Sequence, residues 1–218
     1  VNGALMAASA HYLWTCSASK FPCFGKQGRV CADGELTTAA AFDLLTGPVD
    51  ELDTAKIAAQ VNALQNQPDK VAVCNYKQFT TEEELTNTVY PDQSAFIYSS
   101  DDPQDFLIDL WGGKGNMNFI QTNCWLVPKA VIEKAGGWRA YRCPDDDGEF
   151  FARVLLASEG IVYVPGVYNY YHIEPGGVNQ LSRSKNKKYL QNTLLTIDLK
   201  HQYLLKKGIH PLVNKAIA

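Results

Sequence analysis

Asp145-Asp146-Asp147-Gly148-Glu149-Phe150-Phe151-Ala152-Arg153-Val154-Leu155-Leu156 is followed, past Gly160, by Ile161-Val162-Tyr163-Val164. The two pieces carry different periods. Phe150, Phe151, Val154 and Leu155 recur at helical spacing and form one apolar stripe. Gly160 suits a helix stop, and the β-branched run after it predicts a buried strand. A helix that leads through a glycine into a strand is a unit of an α/β fold.

The same stretch carries the chemistry. Three aspartates stand at the mouth of the predicted helix, where backbone N–H groups and the helix dipole favour negative charge. Neighbouring carboxylates also repel: at roughly 4 Å the penalty is about 1 kcal/mol in water and about 4 kcal/mol near a protein surface. The run therefore wants a cation, a proton or a set of strong donors. The plainer alternative is one capping aspartate with two solvated neighbours, because helix starts favour Asp. A calcium loop does not fit: the glycine falls at the fourth place instead of the sixth, and the twelfth is Leu156 instead of Glu.

Working outward, elements alternate at βα spacing. A helix begins near Asp53 or Thr54 with Ile57, Val61, Leu64 and Ala58 on one face, and Pro68-Asp69 ends it. Residues 70–76 and 96–99 read as short strands, and Ser100-Asp101-Asp102-Pro103 as a turn into a helix over 104–110. Gly112-Gly113-Lys114-Gly115-Asn116 is a flexible loop whose backbone N–H groups could cradle a phosphate, but it lacks the Walker spacing, and a plain loop is the commoner reading. Residues 119–127 read as a buried strand, then Pro128 opens a helix over 129–135 closed by Gly136-Gly137. Residues 167–172 read as a further strand and 174–184 as a loop. The last helix is predicted over 185–207 with Leu190, Leu194, Ile197 and Leu204 on or near one face. Residues 1–48 show no persistent period and are left unassigned; residues 49–218 form the domain. The abrupt change near Gly47 suggests a segment foreign to the fold or a shifted reading frame, which translating the upstream DNA in the other two frames tests.

The totals narrow the function. A chain of 218 residues supports one sizeable domain or two small ones. A net charge of -3 gives no field that recruits nucleic acid. No apolar run reaches the roughly 18 residues of a membrane span, and residues 1–10 lack the basic start of a secretory leader. Six cysteines, none in a C-x-x-C pair and none clustered with His, argue against zinc and for buried, reduced thiols in the cytoplasm.

Four blocks then stand in one order: residues 52–64 with Gln67-Pro68-Asp69; Thr122-Asn123-Cys124-Trp125-Leu126-Val127-Pro128 with Gly136-Gly137-Trp138; residues 145–153; and Tyr170-Tyr171-His172 with Leu181-Ser182. From Asp50 onward this order resembles an inverting family 2 glycosyltransferase of the GT-A type. The resemblance implies a GT-A-like, Rossmann-related mixed sheet flanked by helices, with the N-terminal strands absent or altered. It implies a nucleotide-diphosphate sugar as donor and a glycan or other hydroxyl compound as acceptor. Matching Arg153 to the family's arginine makes Asp147 the general base and puts Asp146 beside it, orienting the loop or contacting acceptor hydroxyls. Trp125, Gly137, Trp138, Asp145, Arg153 and His172 become substrate-side residues. A divalent metal, Mn²⁺ or Mg²⁺, is implied at Asp50 and His172. Here the sequence departs from the family, since Gly47 and Val49 stand where the resemblance puts the two metal aspartates and Asp50 keeps only the acidic place that follows. A non-catalytic remnant that binds glycan or a protein partner is the alternative, and a metal-dependent hydrolase built on the aspartate run ranks below both.

Overall fold

The computed structural model describes residues 5–9, 12–13, 54–87, 89–173 and 186–217. Its centre is a mixed sheet. β3 (Val71–Phe79) lies between β4 (Trp125–Pro128), which runs antiparallel to it, and β5 (Ile161–His172), which runs parallel. The far edge of β4 pairs with β1 (Leu5–Ser9), and β1 pairs with β2 (Tyr12–Leu13), both antiparallel. The order is β2-β1-β4-β3-β5. Seven α-helices are described around it: α1 (Thr54–Leu64), α2 (Glu82–Asn87), α3 (Pro103–Leu110), α4 (Lys129–Ala135), α5 (Asp146–Ala157), α6 (Lys187–Lys207) and α7 (Val213–Ile217). The chain is thus mixed α/β with a small open sheet flanked by helices, the coarse form of the class expected from the sequence.

Local chemistry explains most boundaries. Asp102 caps α3 by accepting from the Gln104 and Asp105 N–H groups, each at 3.0 Å, and Pro103 fills the first turn where no N–H is needed. Gly136, at φ +87°, closes α4 in the left-handed conformation open to glycine. Phe106, Phe150, Val154 and Leu155 share one buried core with Val71, Ala72 and Val73 of β3. A run of rings links the layers: Phe106 to Trp125 at 6.3 Å, Trp125 to Phe151 at 5.2 Å, Phe151 to Phe150 at 5.1 Å and Phe150 to Trp138 at 4.9 Å. Such pairs add about 0.5–1.5 kcal/mol each beyond the area they bury.

Several expectations change. Two strands form within the stretch read as patternless, β1 and β2, because ladder pairing uses backbone groups and needs no side-chain alternation. Residues 96–99 are not a strand. The N–H groups of Phe96 and Ile97 both bond Gln93 O, at 3.1 and 2.8 Å, which makes a turn. The Gln93 side chain meanwhile bonds both the N–H and the C=O of Tyr76, at 3.1 and 3.0 Å, filling the place beside β3 that a strand would take. Of residues 119–127, only the end from Trp125 is strand, and a 3₁₀ turn (Thr122–Cys124) precedes it. The two strands expected over 161–164 and 167–172 are one. Between the Val73↔Tyr163 and Asn75↔Tyr168 pairs β5 bulges, at Pro165, which has no N–H to donate, and Gly166, at φ +78°.

In two helices only part of the predicted apolar face turns inward, Leu64 of the first and Leu204 of the second, and polar residues share the buried side. α1 buries Lys56, Gln60 and Leu64, while Ala58 is exposed. α6 buries Thr196, Lys200 and Leu204 and leaves Leu190 and Leu194 in solvent. In both helices the buried polar side chains reach partners deep in the structure, although Gln60 Oε1 has none, and those partners favour the observed rotation.

Candidate active site

The aspartate run is the first turn of α5. Asp145 occupies the N-cap position, yet its side chain makes no cap hydrogen bond. It reaches across to α6, where Lys200 Nζ lies 2.7 Å from Oδ1 and Thr196 Oγ1 donates to Oδ2 at 2.9 Å. Lys200 also rests over the Trp111 ring, 4.8 Å from its centroid. Gly148 makes this approach possible, since a Cβ there would stand 2.3 Å from Asp145 Oδ1.

Asp147 has its own donors. Thr122 Oγ1 donates to Oδ2 at 3.0 Å, and the Gly148 N–H donates to Oδ1 at 2.8 Å. Burial pushes its proton affinity up, against the pull of those two hydrogen bonds. Asp146 is pushed up to about 6, first by burial and then by the charge of Asp147. The run thus holds one carboxylate paired with an ammonium and two of raised basicity.

A cavity of about 320 Å³ opens beside this turn. Asp145, Asp147, Lys200 and Asn118 supply its polar groups; Trp111, Trp125, Leu107, Leu110 and Leu155 supply much of the rest. The volume is at the small end of ordinary ligand pockets, roughly 300–1,000 Å³.

The remaining expected residues fall in different places. Trp125 is buried and stacked on Phe151, and its ring still borders the cavity. Arg153 is on the opposite side of α5, with Nε and Nη2 on the two oxygens of fully buried Glu149, both at 2.9 Å, and Nη1 on Ala135 O at 2.6 Å. Arg153 therefore ties α5 to the end of α4, where Gly137 (φ +68°) leads into Trp138, and Trp138 packs on Phe150. Glu149 also accepts from Arg139 at 3.2 Å and from Tyr203 Oη at 2.8 Å. Gly137, Trp138 and Arg153 support the aspartate helix and do not border the cavity. His172 ends β5 against the Phe79 ring, with Nε2 3.3 Å from Thr80 O, and does not line the cavity either. Asp50 and the Leu181-Ser182 block lie outside the described residues.

Thr122, Lys200, Thr196 and Trp111 were not singled out by sequence reasoning. Thr196, Lys200 and Leu204 stand four apart, so one helix face joins them, but a Thr-Lys pair reads as solvated until its partner is known. Thr122 is held by a buried layer behind it. Lys56 Nζ donates to Asn123 O at 2.5 Å and lies 3.4 Å from Asn169 Oδ1; Gln60 Nε2 donates to Cys124 O at 2.8 Å; and Asn169 Nδ2 donates to Gln121 Oε1 at 2.9 Å. These bonds fix the 3₁₀ turn, and with it the hydroxyl on Asp147.

Of the two residues at which a divalent metal is implied, Asp50 lies outside the described residues and His172 ends β5. Among the described residues no three His, Cys, Asp or Glu side chains converge to hold a metal ion, and His172 is set against Phe79 and Thr80. Cys74, Cys124 and Cys143 are buried thiols, and burial raises the Cys124 thiol well above its ordinary range. Among the described residues no helix is long and apolar enough to cross a membrane. Comparison with known proteins matches the chain to no family model, no curated protein and no solved structure.

Proposed function

We propose that this chain transfers a sugar from a nucleotide-diphosphate donor to an acceptor hydroxyl with inversion, on a GT-A-like scaffold in the cytoplasm, with Asp147 as general base. The observation that carries this reading is the setting of Asp147. Its carboxylate borders an open cavity, is oriented by Thr122 and Gly148, and has its proton affinity raised by burial. In the step, an Asp147 oxygen takes the hydroxyl proton as the acceptor oxygen attacks the anomeric carbon. The bond from that carbon to the diphosphate oxygen breaks on the opposite face, and the diphosphate leaves with the electron pair. After burial, the charge of Asp145 adds to the basicity of Asp147, and the Lys200 ammonium on Asp145 keeps that charge from acting in full.

A second reading has its own observation: Gly47 and Val49 stand where the resemblance puts the metal aspartates. On that reading the domain binds glycan or a protein partner without turnover.

The deciding experiment incubates the full chain with a panel of UDP-sugars, Mn²⁺ and hydroxyl acceptors, and follows release of UDP. Asp147→Asn should lower turnover by about 10²–10⁴-fold with an unchanged circular-dichroism spectrum. Equal turnover in the variant would remove Asp147 as the base. No binding heat with any UDP-sugar, by calorimetric titration, would favour the non-catalytic reading.

A further inference from the structure

We propose that the cavity beside Asp147 takes an acceptor whose reactive hydroxyl is joined to an alkyl or aryl group, in preference to one that is polar throughout. This rests on the acceptor reading above. The charged groups of the cavity are gathered at the first turn of α5: the carboxylates of Asp145 and Asp147, with Lys200 beside them. Much of the remaining wall is Leu107, Leu110, Ile120 and Leu155 with the rings of Trp111 and Trp125. Asn118 is the uncharged polar side chain on that wall, so a compound with hydroxyls on every face would lose water against most of it and regain few hydrogen bonds. An alkyl or aryl group would gain by entering it.

Two further facts give the direction of binding. Asp145 already receives Lys200 and Thr196, so Asp147 is the better-placed carboxylate to receive a hydroxyl; its Oδ2 accepts from Thr122 and its Oδ1 from Gly148, and each oxygen keeps a further acceptor site. On the cavity border, Met117 and Phe119 are 77% and 56% exposed. Large apolar side chains left in water at this border extend the apolar wall outward, and an unbranched Met adapts to variable groups. The arrangement therefore fits a hydroxyl head at Asp147 with an apolar tail running toward Met117 and Phe119.

The test uses binding, not turnover. Fluorescence of Trp111 and Trp125 reports occupancy while the full chain is titrated with linear alcohols from butanol to octanol, and with diols of the same lengths hydroxylated at both ends. Affinity should rise by about fourfold per methylene for the alcohols. Each diol should bind about tenfold more weakly than its alcohol, because its second hydroxyl falls on the apolar wall. In a Met117→Ser/Phe119→Ser variant the dependence on chain length should flatten among the longer alcohols. Equal affinity for hexanol and hexanediol, or an unchanged slope in the double variant, overturns the proposal. Failure of the transferase reading is distinct: alcohols that bind in the expected pattern, with no donor turnover, uphold the apolar pocket and remove the transferase. Turnover confined to polar acceptors, with no dependence on chain length, does the reverse.

Discussion

Replacing Glu149 by glutamine would unsettle the helix that carries the aspartates without touching the cavity. Glu149 is fully buried and receives four hydrogen bonds: two from Arg153 at 2.9 Å, one from Arg139 at 3.2 Å and one from Tyr203 at 2.8 Å. The glutamine oxygen can keep some of these, but its amide group turns donors toward a guanidinium donor. Buried Arg153 then lacks its counter-charge. Removing one partner of a buried ion pair typically costs about 3–5 kcal/mol. Arg139 is half exposed and stays hydrated, so the lower end applies, about 3 kcal/mol, or roughly 6–12 °C in Tm for a chain of this size. Urea denaturation followed by circular dichroism measures it from the midpoint at constant slope. A Glu149→Leu/Arg153→Met double variant should recover most of the loss, because replacing both charges by apolar groups leaves no orphan. A second readout is Tyr203, held up at about 12 by burial first and then by its bond to Glu149; its absorbance titration should move down in Glu149→Gln. A loss below about 1 kcal/mol would refute the claim that charge pairing holds this turn.

Other outcomes follow from the same geometry. The pKa of Asp146, about 6, lies above its ordinary 3.8, so the folded state holds that proton more tightly, and stability falls as pH rises from about 4 through 6. Asp146→Asn should therefore raise stability above pH 6 by about 1 kcal/mol, after discounting a two-unit shift for partial solvent access, with no gain below pH 4; melting curves across pH check this. Gly148→Ala would press its Cβ onto Asp145 Oδ1 at 2.3 Å and move that carboxylate off Lys200, so a net loss of about 1 kcal/mol is expected by urea denaturation in spite of alanine's better helix propensity. If the chain turns over sugar donors, the acid limb of the rate profile should lie above the ordinary carboxylate range, because the base must be ionised and burial raises Asp147. Thr122→Val, which removes the hydroxyl on Oδ2, should move that limb further up in pH by withdrawing a bond that favours the ionised form.

The features legible in the residue pattern are local. The aspartate-led helix, the strand after Gly160, the Asp102-Pro103 start of α3 and the Gly136 stop of α4 all follow from spacing, capping and glycine conformation, which act within a few residues. The aspartate run was legible as a site because adjacent carboxylates at a helix mouth need partners. Which partners they found was decided only by the tertiary structure. Thr122 comes from a turn before β4 and Lys200 from a helix beyond β5, and nothing in their own neighbourhoods marks them. The same holds for the faces of α1 and α6. Apolar spacing pointed correctly to Leu64 and Leu204, but also to Ile57 and Leu190, and in place of those two Lys56 and Lys200 are buried, because each reaches oxygen atoms that another part of the chain brings to it. Local periodicity reports what a segment prefers to bury, whereas the rotation of a helix is set by the polar groups facing it, which are known only once distant segments meet.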